Sequence, residues 1–157
     1  METTQDRNSL KDQMRNILEE ARMILPGIQA LFGFQTIAVF NQRFDDIAPA
    51  AQYCHLAALF LVVVAIGLVM APAAWHRLVS PDCVTENLVR SSSLLISAGL
   101  LPLAIAITMD VGVVMQLAVR NTVISVLTSL LTLLMLVLLW FVAPMLQRRH
   151  QQPTPFK

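Results

Sequence analysis

The chain has 157 residues, of which 56% are hydrophobic and 13% charged, with a formal net charge of +1. A soluble domain carries about 25% charged residues, so this composition argues against a water-soluble globule. The near-zero balance excludes the basic surface that nucleic acid requires, and a strongly acidic partner as well.

The charges are missing in blocks. Met23 to Gln42 (20 residues), Leu56 to Trp75 (20), Ser91 to Met109 (19) and Asn121 to Gln147 (27) contain no Asp, Glu, Lys or Arg. Each block is close to the roughly 20 residues that cross about 30 Å of hydrocarbon as a helix. The expected fold is therefore all-α and integral to a membrane: a four-transmembrane-helix bundle preceded by a cytoplasmic amphipathic helix. Its parts are residues 1–22, the spans at about 26–42, 52–72, 90–114 and 122–144 within a domain at 23–146, and a basic cytoplasmic tail at 147–157.

Orientation follows from the cations. With the N-terminus inside, Arg7, Lys11, Arg15, Arg22, Arg77, Arg90, Arg148, Arg149 and Lys157 are cytoplasmic, and only Arg43 and Arg120 lie outside. Nine against two satisfies the positive-inside rule and predicts a bacterial inner-membrane protein with both termini cytoplasmic. The first 22 residues lack the basic start and apolar run of a cleavable signal.

Residues 5–22 place Leu10, Met14, Ile17, Leu18 and Ala21 on one helical face. Five acidic and four basic residues up to Arg22 nearly cancel, so weak attraction to anionic lipid is expected. Pro26-Gly27 is expected to break the chain and start the first span, because proline suits the first turn of a new helix. That span is the most polar. Gln29, Gly33, Thr36 and Arg43 share a stripe expected to face other helices, with Gln35 about 120° away.

The second span is rich in small residues (Ala57, Ala58, Ala65, Gly67), which suit close helix approach. Pro72 and then His76-Arg77 mark its exit, where the last two anchor against headgroups. Residues 78–89 form the expected inner loop. In the third span Ser92, Gly99, Ala106 and Asp110 share a stripe, and Pro102 is expected to kink the helix. Arg120-Asn121 makes the second outer turn. The fourth span carries Thr122, Ser125, Ser129 and Thr132 on one face and Trp140 near the inner interface. Gln29, Gln35, Thr36, Ser125, Ser129 and Thr132 are thus candidates for a polar lining, although hydroxyls in such helices usually bond their own carbonyls four residues back. The tail from Gln147 is expected to be disordered.

Asp110 stands about one turn inside the expected outer end of the third span. A lone carboxylate in hydrocarbon costs roughly 2.5–3.5 kcal/mol at the centre, so it must be paired or protonated. Arg43 is the candidate ion-pair partner. His55, at the outer start of the second span, is the candidate for a proton relay, since histidine titrates near neutrality. Cys54 and Cys83 fall on opposite sides of the membrane, which argues against a disulfide. HExxH, CxxC, GxSxG and phosphate-loop motifs are absent. No enzyme activity, catalytic residue, cofactor or metal is expected.

The run from Glu20 through Pro26-Gly27-Ile28-Gln29 to Gln35, the Val39-Phe40 to Phe44 turn and the exit Ala71-Pro72-Ala73-Ala74-Trp75-His76-Arg77 resemble a bacterial family of small four-span membrane proteins of unknown function. Some of its members carry a sodium/proton antiporter label. The resemblance covers roughly residues 10–145 and implies the four-span topology; Asp110 matches an acidic position in that family's third span. Two functions are expected. The first is a non-catalytic interaction or accessory component, with the lipid bilayer, a homo-oligomer or a membrane protein as partner. The alternative is proton-linked monovalent cation transport centred on Asp110, as an oligomer.

Overall fold

A computed structural model describes residues 4–45, 47–79 and 84–150, and the side chains of all of these except 4–7, 43 and 148–150. The described chain is helical, without strands. Helix α1 spans Thr4–Val39, α2 Pro49–Val79, α3 Glu86–Val119 and α4 Thr122–Val137; a π-helical turn, Leu138–Val142, leads into α5, Ala143–His150. Four stretches are long and apolar enough to cross a membrane: Asn8–Val39, Pro49–Val79, Glu86–Val119 and Thr122–Gln147.

The expected break at Pro26 does not occur. Helix α1 runs through it without interruption, so the amphipathic segment and the first span are one rod. An interior proline removes a single backbone hydrogen bond, whereas a full break would leave several N–H and C=O groups unmet. Pro72 likewise does not end the second span, since α2 continues to Val79. Helix α3 also runs longer than expected, from Glu86 to Val119. Its start is fixed by Thr85, whose hydroxyl accepts from the Leu88 amide at 3.3 Å.

The turn at Arg120-Asn121 is as tight as the sequence suggests. Arg120 adopts the left-handed conformation at φ 53° and Asn121 caps α4, accepting from the amides of Val123 and Ile124. Near the other end of α4 the widened turn at Leu138–Val142 has a local cause. Pro144 cannot donate to the carbonyl of Trp140 and its ring would clash there; in the π-turn the Ala143 amide reaches Leu138 instead. The helix then continues to His150, beyond the expected start of a disordered tail at Gln147.

Helices α2 and α3 form the tightest pair, α1 packs on both, and α4 packs mainly on α3. Small side chains allow that closeness. A Cβ on Gly99 would meet Val69 Cγ2 at 3.1 Å. The core is a narrow seam of Ile28, Ala58, Val62, Ala65, Val69, Ile96, Leu103 and Ala106, and Trp140 packs against it. The outside is apolar: Phe34, Phe40, Leu94 and Leu131 are all exposed. Continuous apolar surface on this scale needs a non-aqueous surround.

Candidate functional site

Three helices each send one polar side chain to a single point in the apolar interior. It lies toward the end of the molecule formed by the C-termini of α1 and α3 and the N-terminus of α2. Gln35 is four residues from the end of α1, and His55 is six residues into α2. Asp110 is nine residues short of the end of α3, about 14 Å of helix.

His55 Nδ1 lies 3.0 Å from Asp110 Oδ1, and His55 Nε2 lies 3.0 Å from the backbone carbonyl of Gln35. The Gln35 amide nitrogen donates to Asp110 Oδ2. The cluster is nearly dry, with the side chains of His55 and Asp110 8% and 14% exposed. Gln35 is also buried, and its amide oxygen has no hydrogen-bond partner among the described residues. In an apolar interior each contact matters, because an unmet polar group there costs about 1–3 kcal/mol.

The geometry determines the histidine tautomer. A backbone carbonyl can only accept, so Nε2 must carry a proton. A further proton on either atom would make the Nδ1–Oδ1 contact a hydrogen bond. The pair is imidazolium with carboxylate when that proton sits on nitrogen, and neutral imidazole with carboxylic acid when it sits on oxygen. Both forms keep the same hydrogen bonds. An arginine in place of His55 would lack this freedom, because guanidinium does not release its proton.

Above the cluster an open cavity of about 820 Å³ is lined by Ala38, Phe44, Val113, Gln116 and Arg120, with His55 in its wall. The Phe44 ring meets the His55 ring edge-on, with centroids 5.6 Å apart. Gln52 holds the Phe44 carbonyl at 2.9 Å and so fixes the turn in place. Below the cluster the fully buried Ala58, Val62, Ala65 and Ala106 close the interior. The cavity thus meets the histidine from the side away from these residues.

Of the candidates named from sequence, Asp110, His55 and Gln35 meet. Among the described residues, the other candidates do not join them. Gln29 is exposed, which corrects the expected inward face of α1: Gln35, not the Gln29 stripe, points to the other helices. Thr36 bonds the Phe32 carbonyl of its own helix at 2.9 Å. Ser125, Ser129 and Thr132 likewise reach the carbonyls of Asn121, Ser125 and Thr128, which is packing rather than a polar path. Ser125 Oγ also lies 3.0 Å from Gln116 Oε1. His76 and exposed Arg77 are at the far end. The side chain of Arg43, the expected partner of Asp110, lies outside the described residues, as do Cys83 and residues 151–157.

Gln116 escaped the sequence reading. It lines the cavity and joins α3 to α4, and its only signal was its position just before the Arg120-Asn121 turn. Among the described residues no group of three or more His, Cys, Asp or Glu side chains forms a metal site.

A family model described as "Family of unknown function (DUF6328)" matches residues 1–144. The chain belongs to that family. The match spans all three residues of the cluster. No curated protein and no solved structure matches the chain.

Proposed function

We propose that this member of the family is a proton-handling membrane protein. In this reading the four apolar helices cross a bacterial inner membrane with both termini in the cytoplasm. The His55–Asp110 pair takes up and releases a proton through the outer cavity, and that proton is linked to movement of a monovalent cation. The observation that carries it is the 3.0 Å contact between a buried histidine and a buried carboxylate, with the histidine exposed to an open cavity. Because the interior below the pair is closed, release on the other side requires a conformational change or an oligomeric partner.

A second reading, an accessory component without transport, is favoured by α4. Only 6% of its apolar window is buried within the chain, against 33% for α3, so the face of α4 turned away from α3 is available to lipid or to a membrane partner.

Reconstitution in liposomes separates the two. Lumenal pH is followed after a sodium or potassium pulse for wild type, Asp110→Asn and His55→Gln. Proton flux in wild type that is lost in both variants supports the transport reading. No wild-type flux, together with one stoichiometric partner recovered from native membranes, supports the accessory reading.

A further inference from the structure

At the opposite end of the molecule a second cavity, of about 560 Å³, opens between the N-terminal half of α1 and the far ends of α2 and α3. Lys11, Arg15 and Arg22 project into it from α1, and His76 from α2; Met14, Leu18 and Val84 supply an apolar floor. Lys11, Arg15, Leu18 and Arg22 recur at helical spacing, so one face of α1 delivers all three cations. The single carboxylate in the wall, Glu19, is engaged by Arg15 Nε at 3.0 Å. Among the described residues no carboxylate or other acceptor pairs with Lys11, Arg22 or His76. Among the described lining residues, three cations face one carboxylate.

The position of this space along α1 suggests its ligand. A hydrocarbon layer of about 30 Å, measured inward from Val39 at about 1.5 Å per residue, ends near Glu20. Arg22 then lies at the boundary, and Arg15 and Lys11 lie in and just above the headgroup layer. Lysine and arginine stems lie along apolar surface while their charged ends reach polar surroundings. On α2 the same count from Pro49 puts His76 about 10 Å beyond the hydrocarbon.

We propose that this cavity is a phosphate-binding site formed by Lys11, Arg15, Arg22 and His76, which holds the headgroup phosphate of an anionic membrane lipid. The apolar floor of Met14, Leu18 and Val84 suits the glycerol and first methylenes of such a lipid. Guanidinium and ammonium groups donate to phosphate oxygens and accept nothing, so a zwitterionic lipid, whose ammonium adds a positive charge, is disfavoured. Bound lipid would add a tie between the N-terminal half of α1 and α2, beside the buried Met14 and Ala21. This site is independent of the His55–Asp110 pair.

The test uses the full chain in a zwitterionic detergent and follows its thermal unfolding midpoint as ligand is added. Short-chain phosphatidylglycerol, short-chain phosphatidylcholine and inorganic phosphate are titrated separately against wild type, Lys11→Gln/Arg22→Gln and Arg90→Gln. The replaced residues are exposed, and the midpoint without ligand checks that each variant folds. Phosphatidylglycerol is expected to raise the wild-type midpoint while phosphatidylcholine does not. The double variant is expected to need roughly tenfold more phosphatidylglycerol or more for the same rise, from two lost cations near the surface, and Arg90→Gln to behave as wild type. An equal rise with inorganic phosphate would keep the phosphate site and assign it to a soluble ligand. Equal responses to both lipids, or a double variant no weaker than Arg90→Gln, would overturn the proposal.

Discussion

His55 Nδ1 stands 3.0 Å from Asp110 Oδ1 although 55 residues separate the two in the chain. The contact joins α2 to α3, and the hydrogen bonds from Gln35 and to its carbonyl join both to α1. The contact between a ring nitrogen and a carboxylate oxygen therefore lies where three helices converge.

If the pair is a unit, its two halves must be coupled in stability. His55→Gln and Asp110→Asn are each expected to destabilise the detergent-solubilised protein by about 1–3 kcal/mol. The double variant is expected to lose less than the sum of the two, by at least about 0.5 kcal/mol. Thermal or denaturant unfolding of the four proteins measures this, and additive losses would count against the contact.

The tautomer is separately testable. In protein labelled with ¹⁵N histidine, with His76 and His150 replaced by Gln, the remaining resonance belongs to His55. Nε2 is expected to stay protonated at every pH at which the fold persists, because the Gln35 carbonyl demands a donor. A neutral ring protonated at Nδ1 alone would be incompatible with the geometry.

Two glycines on the α2–α3 pair should respond oppositely to substitution. A side chain at Gly99 runs into Val69 and the backbone of Ala65, with first contacts at 3.1 and 3.5 Å, whereas Gly67 has nothing within 4 Å. Gly99→Val is expected to cost about 1–3 kcal/mol through overpacking. Gly67→Ala is expected to be neutral or to stabilise by up to about 1 kcal/mol, since alanine is the better helix former. The two unfolding midpoints check both expectations.

Topology makes a fourth prediction. Reporter fusions in the turn at 43–49 and at the C-terminus are expected to report opposite compartments, with the C-terminus cytoplasmic. The same compartment for both would contradict four crossings.

The four apolar helices were legible because charge is absent from the sequence wherever the exterior is apolar, so uninterrupted runs mark helices directly. The inward face of α1 was not. Gln29, Gly33 and Thr36 share a helical stripe as convincing as any, yet the structure turns Gln35 inward, because its partners come from α2 and α3. No local pattern encodes that choice. Pro26 misled for a related reason: local propensity favours a break, but an intact hydrogen-bond ladder on both sides outweighs one missing donor. Asp110 and His55 were conspicuous as titratable groups in apolar surroundings. Their meeting depended on helix registry, which periodicity alone cannot supply. The basic cavity was hidden differently, since its cations looked balanced along the sequence and separate only when one face of α1 is seen against α2.

The most direct test of a proton at this site is infrared difference spectroscopy on the protein in bilayers, comparing acid with alkaline buffer. The expected result is a carboxylic-acid carbonyl band that appears in acid, is missing in Asp110→Asn and is displaced in His55→Gln, where its hydrogen-bond partner has changed. An Asp110→Asn spectrum superimposable on that of wild type, across the whole pH range in which the fold survives, would contradict a proton site at Asp110.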